Sequence, residues 1–184
     1  MIAREQAWKM LESTGQEQHM LHHALETEAV MRGLARRLGQ DEMVWGLAGL
    51  LHDLDFHETK DLPEEHGLRA ATWLAEALPA DALAAIRAHN GERNGARPST
   101  AFDHALRCAE TVTGLISAAA LIRPTKLEGL GAKSLKKKMK DKAFAAAVNR
   151  DLIRECETIG VGLDDFLNDS VASITTIADL VNLK

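Results

Sequence analysis

The segment from Met43 to Leu51 constrains the fold more than any other part of the chain, because it is apolar on almost every side. Its large and small apolar residues are Val44, Trp45, Leu47, Ala48, Leu50 and Leu51. A helix that is apolar all round is normally buried on all sides. The sequence therefore predicts a central helix over 41–54, packed among other elements and ending near the pair His52-Asp53.

The rest of the chain also indicates helices. Val and Ile form no alternating runs that would indicate strands, and with 4% aromatic residues and no Tyr, burial depends mainly on Ala and Leu, which favour helix. We predict one all-α domain of 184 residues, a bundle of about eight helices, with a core over 19–122 and a C-terminal extension over 123–184. The predicted helices are 4–13, 19–38, 41–54, 64–78, 80–89, 101–122, 143–158 and 163–182.

Positive charge is concentrated in one segment of an acidic chain. The net charge is −5, but Lys126 to Lys142 holds seven lysines against two acidic residues, so this segment carries +5 and the remainder −10. We predict a lysine-rich loop over 126–142, with 127–140 as a candidate lid. Such a segment can attract phosphate, or it can be an ordinary solvated surface. The acidic balance and the lack of an aromatic series argue against nucleic acid as the substrate.

The sequence favours a cytoplasmic protein without a membrane anchor. The N-terminal residues are charged and amphipathic and lack the apolar core of a signal peptide. The stretch from Met43 to Leu51 is far shorter than the roughly 20 residues that a membrane span needs. Cys108 and Cys156 form no close-spaced pair, and we expect two buried thiols in a reducing compartment. The oligomeric state stays open, a homo-oligomer included.

The pair His52-Asp53 is the first candidate for chemistry. An ionisable pair directly after the most buried segment is costly unless its charge is compensated. A divalent metal would compensate it, since imidazole and carboxylate together suit such ions. The alternative is a polar pair that faces water at the end of a helix.

Further candidates lie on the inner faces or ends of other predicted helices. His23 lies on an apolar helix face, His66 and His89 share faces with apolar residues, and Glu110 lies beside the inner stripe of the helix 101–122. Each of these alone also fits a hydrogen-bonded structural residue. Together they match the way helical bundles build metal centres, from side chains on facing helices.

The order His23, His52-Asp53, His66, His89 and an acidic residue at 110 resembles the HD superfamily of metal-dependent phosphohydrolases. Within it, the sequence also resembles bacterial HD proteins of about this length, sometimes called HDIG-domain hydrolases. The phrases that carry it extend over most of the chain: HHALETEAVMRGLA (22–35), WGLAGLLHDLDF (45–56), PEEHGLRAA (63–71), AHN (88–90), TGLISAAALIRP (113–124) and KSLKKKMKDKAFAAAVNRD (133–151).

The resemblance implies a set of metal ligands. His23, His52 and Asp53 would bind one ion, and Glu110 stands where relatives have an aspartate. His66 and His89 match the additional histidines of HD proteins that hold two metals, in which case Asp53 would bridge them. The implied cofactor is one or two divalent ions, Mn, Fe, Zn, Co, Ni or Mg.

The resemblance also implies an activity, the hydrolysis of a phosphate ester on a nucleotide or small phosphorylated metabolite by metal-activated water. We expect Asp53, Asp55 and Glu58 to serve in catalysis, the latter two by orienting or deprotonating the water. The expected phosphate-binding residues are Lys133, Lys136, Lys137 and Arg150.

Two other functions stay open from the sequence. Some HD proteins with two irons are oxygenases that cleave carbon–phosphorus or carbon–carbon bonds. A third alternative is a degenerate HD module that binds a nucleotide or a protein partner, which the departure at Glu110 motivates.

Overall fold

The computed structural model describes residues 1–184 and contains helices but no strands, which confirms the predicted all-α class. The α-helices, in chain order, are α1 (Arg4–Ser13), α2 (Gln18–Leu38), α3 (Glu42–Leu51), α4 (Phe56–Thr59), α5 (Leu68–Trp73), α6 (Ala80–His89), α7 (Gly91–Asn94), α8 (Ala101–Leu121), α9 (Ala132–Lys140), α10 (Arg150–Arg154) and α11 (Leu163–Thr175). A 3₁₀ helix, Glu155–Glu157, follows α10.

The two longest helices, α2 and α8, form the frame of the molecule. The helix α3 packs mainly against α2, and also against α6, α8 and α1, while α11 packs on the other side of α2. All residues of α3 from Trp45 to Leu51 are buried, as predicted for the central helix. One hydrophobic cluster of 46 buried residues runs from Ala7 to Leu183, and the last residues of α3 lie inside it.

The close contact between α2 and α3 depends on Gly49. A Cβ atom at this position would lie 2.9 Å from the carbonyl oxygen of Thr27 and 3.0 Å from Cγ of Met31. Both distances are shorter than normal carbon contacts, so only glycine lets the helices approach this closely. This close approach brings the residues that follow α3 next to the side chains of α2.

Local sequence signals explain where α2 ends and α3 begins. Gly39 ends α2 in the left-handed conformation, with φ of 66°, where glycine carries no steric penalty. Asp41 caps α3, because its side chain accepts hydrogen bonds from the amides of Met43 and Val44.

The lysine-rich segment differs from the prediction of a loop, since residues 132–140 form α9. Ala132 and Leu135 are buried and Met139 packs against the core. Their spacing of three and four residues gives the helix an apolar stripe. The high density of lysines favoured a loop in the prediction. In the structure the lysines lie on the outer face of the helix.

Two predicted helices are much shorter than expected. The helix predicted over 64–78 begins only at Leu68, because Gly67 adopts a φ of 81°. The helix predicted over 143–158 is reduced to α10 and the 3₁₀ turn. Ala145 has a φ of 46°, and the guanidinium of Arg150 donates hydrogen bonds to four carbonyl groups between Asp141 and Val148, which holds that stretch in turns.

The C-terminal part also departs from the predicted continuous helix over 163–182. The helix α11 ends at Thr175 and turns follow to Asn182. Cys108 and Cys156 are both buried and free. None of the helices combines the length and the apolar character required to cross a bilayer.

Candidate metal centre

The pair His52-Asp53 lies at the point where the buried helix α3 ends. His52 is 1% exposed and Asp53 is 7% exposed. The Nδ1 atom of His52 lies 2.8 Å from the carbonyl oxygen of Gly49. Since a carbonyl only accepts, Nδ1 must carry the proton, and the lone pair of the ring is therefore on Nε2.

One half of the site, called site A, consists of His23, His52 and Asp53. The Nε2 atoms of His23 and His52 lie 3.1 Å apart, and Oδ2 of Asp53 lies 3.5 Å and 3.3 Å from them. The Nδ1 atom of His23 is 2.9 Å from the hydroxyl of Thr113, which itself donates to the carbonyl oxygen of Glu110. The hydroxyl therefore accepts from Nδ1–H, and Nε2 of His23 also holds a lone pair.

The other half, called site B, consists of His66, His89 and the same Asp53. The Nε2 atoms of His66 and His89 are again 3.1 Å apart, and Oδ1 of Asp53 lies 3.1 Å and 3.4 Å from them. The Nδ1 atom of His89 donates to the carbonyl oxygen of Ile86 at 2.6 Å, and that of His66 donates to Asp55 at 2.8 Å. Each oxygen of Asp53 thus faces one pair of histidines.

This arrangement fits two divalent cations bridged by one carboxylate. The three ligand atoms of each site lie within 4.8 Å of one another. In all four rings Nδ1–H is engaged by a protein acceptor, so each ring turns its Nε2 atom inward. Two such nitrogen atoms about 3 Å apart repel each other unless a proton or a metal cation lies between them. A histidine that binds a metal through one ring nitrogen usually donates the N–H of its other nitrogen to such an acceptor.

The charges of the five residues are strongly coupled. Burial opposes ionisation of Asp53, but contacts with His52, His66 and His89 hold its pKa well below the usual range. Burial lowers the pKa of His23 to about 4. Burial also lowers the pKa of His66, but the hydrogen bonds to Asp53 and Asp55 outweigh this effect and raise that pKa to about 10. Metal binding to these residues would therefore displace protons.

Glu110 is not part of the converging set of ligand atoms. Its carboxyl group accepts a hydrogen bond from the hydroxyl of Thr111. Burial raises the pKa of Glu110 to about 7, while Thr111 and His52 act in the opposite direction. Its predicted role as a metal ligand stays a prediction, and its charge interacts with those of His52 and Asp53.

The two carboxylates expected to activate water, Asp55 and Glu58, are not among the converging ligand atoms of either site. Asp55 is fully buried and accepts three hydrogen bonds, from Nδ1 of His66 and from the amides of Gly67 and Ala70. It holds His66 in place, and its three hydrogen bonds engage both of its oxygens. Glu58 is exposed and forms an ion pair with Arg69, so the structure does not bring it to the histidines.

The predicted phosphate-binding residues also lie away from the histidines. Lys133, Lys136 and Lys137 line a separate surface depression of about 390 Å³, in which Lys136 pairs with Asp164 at 2.6 Å. The guanidinium of Arg150 is engaged by backbone carbonyls. Their role in binding phosphate stays a prediction, and charge alone could not show on which face of the helix the lysines lie.

A cavity of about 620 Å³ opens beside site A and is called the cluster cavity. His23, Asp53, Glu26 and Ser117 are among the residues that line it. Glu26 is only 4% exposed, and Ser117 donates a hydrogen bond of 2.7 Å to its Oε2. The sequence analysis missed Glu26, although its position one helical turn after His23 was a usable signal.

Burial raises the pKa of Glu26 to about 7 from a usual value near 4.5. The folded protein therefore holds this proton more tightly than the unfolded chain does. The contribution of the Glu26 proton to the free energy of unfolding is fully present below pH 4.5 and is lost as the pH rises to about 7. We expect Glu26→Gln, which cannot ionise, to match the wild type near pH 4.5 and to be more stable by about 3 kcal/mol near pH 8. Denaturant unfolding with chelator at both pH values measures this. A difference that does not change with pH would contradict it.

An all-α fold that gathers four histidines around one buried carboxylate defines a helical protein with a centre suited to divalent metals. A family model for the HD domain matches residues 20–121, more than half of the chain, and the protein belongs to the HD domain family. Members of this family are generally metal-dependent hydrolases. No curated protein and no solved structure shows significant similarity to the chain.

Proposed function

We propose that the protein is a metal-dependent phosphomonoesterase with a centre for two metal ions. One observation carries this proposal: two pairs of histidine Nε2 atoms face each other at 3.1 Å on either side of Asp53. His23 and His52 would hold one ion, His66 and His89 the other, and Asp53 belongs to both groups of ligand atoms. Membership of the HD domain family supports phosphoryl chemistry.

The donor set favours transition metals. Four imidazoles and one carboxylate are a nitrogen-rich set, which suits Mn, Fe, Co, Ni or Zn better than Mg, whose preferred ligands are oxygens. Divalent ions supply Lewis acidity toward a phosphoryl oxygen and activate a water molecule at such centres.

The protein residues orient the imidazole rings, hold the protons on their Nδ1 atoms and shield the centre from bulk water. Gly49, Thr113, Asp55 and Ile86 each engage one Nδ1–H, which fixes the ring orientation before any ligand binds. The burial of His52 and Asp53 keeps bulk water from competing with the substrate. The cluster cavity gives the substrate access from the side of His23, and the phosphoryl group would lie against this wall.

A metal analysis and a substrate screen test the proposal together. We expect protein purified without chelator to contain two transition-metal ions per chain and to release phosphate from simple phosphomonoesters. Oxygen consumption by an iron-loaded protein without phosphate release would instead support a di-iron oxygenase. Binding of Mn, Fe and Zn no tighter than about millimolar would support a degenerate module.

Single histidine variants test the two-site assignment. We expect His66→Ala and His89→Ala each to lower the metal content from two ions per chain to one, because each removes a ligand of site B only. His57→Ala is the control, since His57 is exposed and outside the cluster. Metal content is measured by elemental analysis after dialysis. If both variants keep two ions, the site B histidines are structural.

A further inference from the structure

The wall of the cluster cavity beyond the metal centre combines one buried acid, Glu26, with apolar side chains, and His19, His22, Ser117 and Asn182 add polar groups to it. Leu121, Val181 and Leu183 are among its apolar residues, and neither lysine nor arginine lines it. A phosphoryl group can be neutralised at the metal centre itself. A second anionic group placed against Glu26 would meet neither a lysine nor an arginine to balance its charge, which is electrostatically unfavourable.

Glu26 has an unused capacity to accept hydrogen bonds. The only hydrogen bond to its carboxyl group comes from Ser117 to Oε2. Its other oxygen, Oε1, accepts none, and the residue lines the cavity that also contains His23 and Asp53. This oxygen is open to the cavity rather than enclosed by protein, so a donor on a ligand can reach it and supply the hydrogen bond that the protein does not.

On this basis we propose that Glu26 determines specificity, by accepting a hydrogen bond from a hydroxyl or amino group on the alcohol part of the substrate. The inference rests on the proposed phosphomonoesterase function and narrows it. The preferred substrates are small monophosphate esters of polar alcohols. Esters with a second phosphate and esters of purely apolar alcohols are poor substrates.

Matched esters test this specificity. O-Phosphoethanolamine, ethylene glycol monophosphate and propyl phosphate have the same chain length and differ only in the terminal group. We expect the first two to exceed propyl phosphate in kcat/KM by on the order of 10- to 100-fold. Ethylene glycol bisphosphate is expected to be hydrolysed no faster than propyl phosphate. Equal values for all four esters would overturn the proposal.

Two variants of Glu26 distinguish the preference for an amino group from the preference for a hydroxyl group. A Gln amide keeps an oxygen that accepts from a hydroxyl, but it lacks the negative charge that strengthens the bond from an ammonium group. Glu26→Gln should therefore lose the preference for the amine and keep that for the hydroxyl, whereas Glu26→Ala should lose both. The control is Glu76→Gln, an exposed carboxyl outside the cavity, which should keep both preferences. Preferences that are unchanged in Glu26→Ala would contradict the assignment.

Binding of phosphonates, which lack the scissile ester bond, separates this inference from the proposed activity. Calorimetry with aminopropyl-, hydroxypropyl- and butylphosphonate should give the same preference as the esters, and Glu26→Ala should abolish it. Preference in binding without any ester hydrolysis would uphold Glu26 and reject the phosphomonoesterase function. Hydrolysis without any preference, in either assay, would uphold the function and reject the role of Glu26.

Discussion

Asp53→Asn is expected to release both metal ions and to abolish phosphomonoesterase activity. Each oxygen of Asp53 faces one pair of histidines, so this one substitution weakens both sites, whereas each histidine belongs to one. An amide also places a donor where one cation should bind. Loss of the metal contribution, several kcal/mol, corresponds to on the order of a thousandfold in kcat/KM.

Elemental analysis and phosphate release measure the effect of Asp53→Asn. Asp61→Asn is the matched control, because Asp61 is an exposed carboxylate eight positions downstream. Circular dichroism of both variants separates loss of metal from loss of fold. Wild-type metal content and activity in Asp53→Asn would show that the carboxylate does not bridge metals.

Asp55→Ala is expected to be the most destabilising single substitution near the centre. It leaves the amides of Gly67 and Ala70 without their acceptor and frees Nδ1 of His66. Removing one partner of such a buried charged network costs about 3–5 kcal/mol of unfolding free energy. Loss of the support for His66 should also weaken metal binding at site B by roughly 10- to 100-fold.

Asp55→Asn separates the two effects of Asp55. Its amide oxygen can still accept from Gly67 and Ala70, so most of the stability should remain. Its NH₂ group would then face Nδ1 of His66 and favour the tautomer with the proton on Nε2, which cannot bind metal. We therefore expect near-normal denaturant unfolding with impaired binding at site B. If Asp55→Ala unfolds like the wild type and binds metal normally, Asp55 has neither role.

The sequence predicted the placement of His23 and of His52-Asp53 best, because both depend on local patterns. His23 follows the apolar stripe of α2, and the pair follows the most apolar segment. Periodicity gave the correct inner face in each case. Helix faces also indicated His66 and His89, and the family resemblance added their assignment to a second metal. Their approach to Asp53 depends on how α5 and α6 pack and cannot be derived from spacing alone.

The contacts of Asp55, Glu26 and Arg150 could not be predicted from the sequence. The partners of Asp55 come from a turn around Gly67 whose positive φ shapes the path of the chain. Ser117, the partner of Glu26, is 91 positions away on α8. Arg150 binds carbonyls of its own preceding turns. In each case the charged side chain indicated a polar contact. Which group it contacts depends on how the chain folds in three dimensions.

The positions of the histidines along the chain have a consequence for the lifetime of the protein. An ion in site A would tie together residues 29 positions apart, and one in site B residues 23 positions apart. Two such ties restrict the unfolded chain much as covalent cross-links do. Free metal at a hundred times its Kd would add about 2.7 kcal/mol per site. Resistance to proteolysis, and with it the abundance of this protein in a cell, would then rise and fall with the metal supply.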